Sequence, residues 1–162
     1  MVKKLKKAFI SYCNSEQLEV NSNQIDVINK LEQFYQGNFQ SYFSNLFLKK
    51  SFKKGFYLYG DVGVGKTMIL NFFFNHLKEK KLRLHFNEFM LNFHDFVHKK
   101  KEKEEENIIN QFVKSLKLKA SLIYFDEFQV TNIVDAMILG KLFDQIFKED
   151  IKIIVTSNSK IS

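Results

Sequence analysis

The chain has 162 residues, 45% of them hydrophobic, which fits one domain with a sizeable core. Six Gly and no Pro exclude collagen-like and Pro-rich architectures. The net charge is +7, yet all but one of the 25 basic residues are Lys, the exception being Arg83, and there are 19 Phe. This bias is that of an AT-rich genome, so the charge is read as solvated faces and no nucleic acid is expected as a partner. The lone Cys13 has no internal disulfide partner, which suits a reducing compartment. The basic start is not followed by an apolar stretch of signal-peptide length, and no run approaches a membrane span. A cytoplasmic location is expected.

In chain order, residues 1–22 read as an irregular lead-in with one apolar patch, Ala8-Phe9-Ile10. Ile25, Ile28, Leu31, Phe34 and Tyr35 recur at helical spacing, which predicts an amphipathic helix over residues 23–36, capped by Asn23 and ended by Gly37. Tyr42, Phe43, Leu46 and Phe47 suggest a second short helix. Residues 1–50 together are expected to form an amino-terminal helical lead-in, and residues 51–162 a partial α/β core. Phe56-Tyr57-Leu58-Tyr59 is a short apolar run ending at a glycine, as a buried strand does. A helix is predicted over residues 66–80, a strand over 82–86 and a helix over 88–100. Residues 99–106 are charged throughout and read as a solvated helix end or loop. Leu122-Ile123-Tyr124-Phe125 is the most strand-like run. Residues 134–147 read as a helix with Ala136, Met137, Leu139, Leu142, Phe143 and Ile146 inside, and residues 151–156 as the last strand. Strands alternating with helices predict an α/β fold with a parallel sheet and helices on both faces.

The informative run is Gly60-Asp61-Val62-Gly63-Val64-Gly65-Lys66-Thr67, followed by Met68. It matches Gly, four residues, Gly-Lys-Thr, the phosphate-binding loop. The chemistry needs these types. The glycines let the backbone turn tightly enough for its amides to face a phosphate. The next helix presents the positive end of its dipole to the same anion. Lys66 reaches the β- and γ-phosphates, and the Thr67 hydroxyl is a Mg²⁺ ligand. The strand-like run then ends in Asp126-Glu127, a Walker B pattern. Asp126 is expected to hold Mg²⁺ and Glu127 to polarise the attacking water. Asn158, at the tip of the last strand, is placed to orient that water or sense the γ-phosphate. His94 and His98 stand four apart, but without a third ligand nearby they read as half-exposed helix histidines.

The stretches around Gly55–Gly63, Leu84-His85-Phe86-Asn87-Glu88-Phe89-Met90, Phe125-Asp126-Glu127-Phe128-Gln129-Val130-Thr131 and Val134-Asp135-Ala136-Met137-Ile138-Leu139 resemble the ZapE / AFG-one-like AAA+ ATPases. The resemblance runs from about residue 20 to Asn158. It implies a P-loop NTPase of AAA+ type that hydrolyses Mg-ATP to remodel a protein. It also implies homo-oligomers, a tie to cell division in the bacterial members, and a tie to the inner membrane in mitochondrial ones, so peripheral membrane association is open. By resemblance, Lys66 and Thr67 belong to Walker A, Asp126 and Glu127 to Walker B, Asn158 is sensor 1, and Gln24 lies near the adenine. The sequence departs from the family at Asn87, Asn132 and Val64.

The family also has a fifth strand, an arginine finger and a helical lid after sensor 1, with sheet order 5-1-4-3-2. This chain is expected to hold 1-4-3-2, without that carboxyl-terminal strand and lid. Arg83, placed ahead of the second strand, is not the finger. The chain therefore reads as the amino-terminal part of a longer protein or the product of a broken gene, binding ATP with negligible hydrolysis by itself. Two alternatives stay open: a nucleotide-binding remnant without turnover, and a P-loop kinase. Glu127 directly after Asp126 speaks against the kinase.

Overall fold

The computed structural model describes residues 2–39, 54–61, 63, 65–100, 104–130 and 133–158. The short helix expected around Tyr42–Phe47 lies outside the described residues. Among the described residues the strands are β1 (Gly55–Tyr59), β2 (Lys81–His85), β3 (Leu122–Asp126) and β4 (Lys152–Ser157). The helices are α1 (Val2–Ser15), α2 (Ser22–Phe39), α3 (Lys66–His76), α4 (Phe86–Lys99), α5 (Glu105–Lys119) and α6 (Ile133–Lys148). They form two compact units: residues 1–56 with 62–78, and residues 57–61 with 79–162.

Among the described residues the first unit holds three helices, α1 against α2 and α2 against α3. Residues 2–15 are helical rather than an irregular lead-in, because Phe9 and Cys13, one turn apart, are both fully buried. Phe9 sets its ring edge-on to Phe72 at 5.1 Å, and Tyr35 does the same to Phe73 at 6.2 Å. Phe72 and Phe73 thus serve the core. The cap of α2 is Asn21, not Asn23: the Asn21 side-chain oxygen accepts the Asn23 amide at 2.8 Å. The helix also runs through Gly37 to Phe39. Helix α3 stops at His76, four residues short of expectation, where Leu77 turns extended at φ −81°, ψ 138°.

The sheet has the order β1-β4-β3-β2, and the second unit holds β2, β3, β4 and the end of β1. β3 pairs in parallel with β2 (Leu82 beside Ile123, Leu84 beside Phe125) and with β4 (Ile123 beside Ile153, Phe125 beside Val155). These alternate positions point to one face, where they meet α4, α5 and α6 in a single apolar cluster. Its centre is aromatic: Phe125 lies 4.7 Å from Phe89 and 6.2 Å from Phe86. β3 is buried at every position, as a strand between two parallel neighbours must be.

Helix α5 has no counterpart in the sequence reading, although Ile108, Ile109, Phe112, Val113 and Leu116 keep helical spacing and are buried. The charged run that masks it splits in two. Glu105 and Glu106 belong to its first turn and Lys117 and Lys119 to its last, each sign matching the dipole end. β2 passes into α4 without a loop, so Phe86 opens a helix instead of closing a strand. On α6, Leu139, Leu142 and Ile146 are buried, but Ala136 and Met137 face outward, Met137 at 74% exposure.

Candidate nucleotide site

Residues of the glycine run are assigned to both units. Gly60 and Asp61 follow β1 in the sheet unit. Gly63 and Gly65 lead into α3 in the helical unit, while Val62 and Val64 lie outside the described residues. Gly63 and Gly65 take φ of +87° and +84°, a region that L side chains rarely enter. Gly65 is the residue before the first turn of α3, which starts with Lys66, Thr67 and Met68 and carries no acidic side chain. Lys66 and Met68 are half-buried and Thr67 is exposed.

Gln24, in the first turn of α2, belongs to the same unit and reaches this loop. A Cβ built on Gly65 stands 2.9 Å from the Gln24 side-chain nitrogen. The Gln24 side-chain oxygen is buried and has no hydrogen-bond donor among the described residues. The two glycines therefore differ in a testable way. Gly63→Ala meets nothing within 4 Å and pays the left-handed backbone alone, about 1–2 kcal/mol. Gly65→Ala pays the same and must also displace Gln24. Denaturant melts are expected to find Gly65→Ala the less stable, and adding Gln24→Ala is expected to close the gap. Equal stabilities for the two glycine variants would refute the contact.

In the sheet unit, Asp126, Glu127 and Asn158 lie together at the carboxyl ends of the two central strands. The Asp126 side chain is engaged on both oxygens. One accepts the Thr156 hydroxyl at 2.9 Å and the Tyr124 hydroxyl at 3.1 Å. The other is ion-paired with the Arg83 guanidinium. Burial pushes the Asp126 carboxyl up, but these three hydrogen bonds and the Arg83 charge outweigh it, so the group sits below the ordinary aspartate value. Burial likewise pushes the Tyr124 phenol up, to about 12, so its hydroxyl keeps its proton at neutral pH and can donate to Asp126.

Glu127 follows at φ +52°, a left-handed turn for a residue other than glycine, which costs about 1 kcal/mol or more. The turn is pinned by the next residue, whose amide donates to the Thr156 carbonyl at 2.7 Å. It throws the Glu127 side chain outward, 78% exposed, with the His85 ring 3.8 Å away. Asn158, just past β4, is exposed as well. His94 is half-exposed on its helix, as expected, and its ring meets Asp135 at 2.8 Å, tying α4 to α6.

The sequence reading missed Arg83, Tyr124 and Thr156. Arg83 stands in the middle of β2, not ahead of it, and pairs in register with Tyr124. Two residues on, Asp126 projects from the same face. Strand alternation plus parallel pairing with the next β-strand was the available signal.

A glycine loop before a helix and an Asp-Glu pair ending the central strand of a parallel sheet define the class: an α/β nucleotide-site fold of the AAA+ type. The chain belongs to the AFG1-like ATPase family, whose model matches residues 5–160. It is 40% identical over 115 residues to lactation elevated protein 1 homolog B of Danio rerio, an alignment covering 65% of this chain and 23% of that protein. It is 38% identical over 108 residues to cell division protein ZapE of Escherichia coli K12, covering 65% of this chain and 28% of that protein. The chain thus spans roughly a quarter of the length of these curated relatives. Among solved structures, AMPPCP-bound DnaA from Aquifex aeolicus aligns with a TM-score of 0.58 at 16% identity, over 89% of this chain and 41% of that one. The DnaC helicase loader aligns with a TM-score of 0.56 at 13% identity, over 88% of this chain and 74% of that one. These structural likenesses show the fold.

Proposed function

We propose that the chain binds Mg-ATP through residues 60–68 and Gln24, and that the whole protein hydrolyses it to remodel a protein partner, with cell division as the setting. The observation that carries the nucleotide reading is the pairing of Gln24 with the glycine loop: its side-chain nitrogen stands beside Gly65, and its buried, donorless side-chain oxygen suits the exocyclic amino group of adenine. The donor set fits the metal too. Thr67 and Asp126 offer hard oxygens, and Mg²⁺ usually takes one or two protein oxygens while keeping waters and substrate phosphates. No group of three or more His, Cys, Asp or Glu able to cage a metal occurs among the described residues. The metal, when bound, neutralises charge on the phosphates.

The chain's own residues do the rest. The loop amides and the start of α3 bind the phosphates, and Lys66 holds the β- and γ-oxygens. Glu127, held outward by its turn, takes a proton from the attacking water while Asn158 orients it. The cell-division setting rests on the likeness to the protein named ZapE. Homo-oligomers, a cytoplasmic place and peripheral contact with a membrane belong to the same reading. Among the described residues no helix is long and apolar enough to cross a membrane.

Calorimetric titration with ADP and ATP, with and without Mg²⁺, tests this. Saturable binding strengthened by the metal is expected for both nucleotides, and no binding would overturn the reading. Where turnover is measurable, Glu127→Gln is expected to remove it and leave binding in place.

A further inference from the structure

Arg83 is the chain's only arginine, and it is spent on the carboxylate that the function above assigns to Mg²⁺. The Asp126 side chain is only 11% exposed. An ionised carboxylate so placed needs a counter-charge whether or not a metal is present. The Arg83 side chain is 39% exposed, so its guanidinium has a way out to solvent. It also lies 5.1 Å from the centre of the Tyr124 ring, an aromatic rest beside the ion pair. Thr156 and Tyr124 donate to the other carboxylate oxygen and fix the group's orientation. The oxygen on the Arg83 side is the one where two cations would compete.

We propose that Arg83 is a positioning residue that stands in for the metal: it pairs with Asp126 and holds it in place in the metal-free protein and yields when Mg-nucleotide arrives. This deepens the function proposed above and rests on it. Asp126 would hold a hydrated Mg²⁺ only in competition with the guanidinium already paired to it, since like charges in a half-buried site repel. Metal and arginine are therefore antagonists on one carboxylate. The affinity for Mg²⁺ is set below what Asp126 alone would give, and metal loss does not leave a bare buried charge.

The experiment compares wild type, Arg83→Gln, Arg83→Lys, Asp126→Asn and the Arg83→Gln/Asp126→Asn pair. In EDTA without nucleotide, Arg83→Gln is expected to lower the melting temperature, and to do so far less when Asp126 is already Asn. Additive effects of the two changes would overturn the proposal. With ADP saturating, Mg²⁺ is titrated and a fluorescent nucleotide reports. Arg83→Gln is expected to bring half-saturation to about tenfold less Mg²⁺ than wild type, and Arg83→Lys to fall between them. A merely structural arginine would not tighten metal binding when removed, so an unchanged or weaker Mg²⁺ affinity in Arg83→Gln overturns the inference. If Arg83→Gln fails to fold, the lysine variant decides: half-saturation at or above the wild-type Mg²⁺ concentration overturns it. Wild-type protein that binds ADP but shows no Arg83 effect refutes this inference alone. Wild-type protein that binds no nucleotide refutes the function and this inference with it.

Discussion

Phe125→Ala is expected to cost about 3–5 kcal/mol of folding stability. Phe125 is fully buried in β3, between α4 and α6. Its ring meets Phe89 at 4.7 Å and Phe86 at 6.2 Å, and is stacked 6.0 Å from Phe143. Truncation removes the transfer energy of the ring, leaves a cavity, and forfeits edge-to-face contacts of about 0.5–1.5 kcal/mol each. Neighbours fixed on strands and helices cannot collapse fully into that space. A domain stable by about 5–15 kcal/mol loses a large fraction of its margin. Phe143→Ala, at a half-buried position on the same cluster, is expected to cost less. Urea unfolding of the two variants checks the order. A Phe125→Ala cost under about 1 kcal/mol would mean that this cluster is not the core of the sheet unit. The loss has a functional side as well, because Asp126 is the next residue along the strand.

What the sequence disclosed follows from which signals are local. The strand-glycine-helix run was legible because each of its parts sits next to the other in the chain. Among the described residues, four of the six helices and all four strands appear within a few residues of where periodicity puts them. The sheet order came from resemblance, since periodicity carries no strand order. The errors have physical causes. Helix α1 looks irregular in the sequence because its two fully buried side chains, Phe9 and Cys13, lie among lysines and polar residues. Helix α5 disappeared behind the charges of residues 99–106, although Glu105 and Glu106 are favourable in a first turn. Met137 looked internal by spacing yet faces outward. Capping turned on one hydrogen bond two residues apart, and Asn21 and Asn23 are chemically equal in the sequence. The Arg83–Asp126 pair joins residues 43 apart, so it becomes visible only once β2 and β3 are paired in register.

Lys66→Ala is expected to remove nucleotide binding while leaving the fold intact, and the two halves of that expectation have separate grounds. Lys66 is the first residue of α3, a position without an intrahelical amide bond to lose. Alanine is the best helix former, and the helix is anchored farther on by Ile69, Leu70, Phe72 and Phe73. The melting temperature without nucleotide should therefore hold. Binding is another matter. An ammonium shared between two phosphates makes charge-assisted hydrogen bonds worth about 1.5–3 kcal/mol each, so two of them carry about 10²-fold in affinity or more. The left-handed turns at Gly63 and Gly65 and the dipole of α3 remain in the variant, and a weak attraction for inorganic phosphate should survive. Titrating ADP and ATP into wild type and Lys66→Ala under one salt condition makes the comparison. Nucleotide affinity unchanged in a folded Lys66→Ala protein would remove the phosphate role from the glycine loop. The role of Gln24 would then have to be explained without adenine.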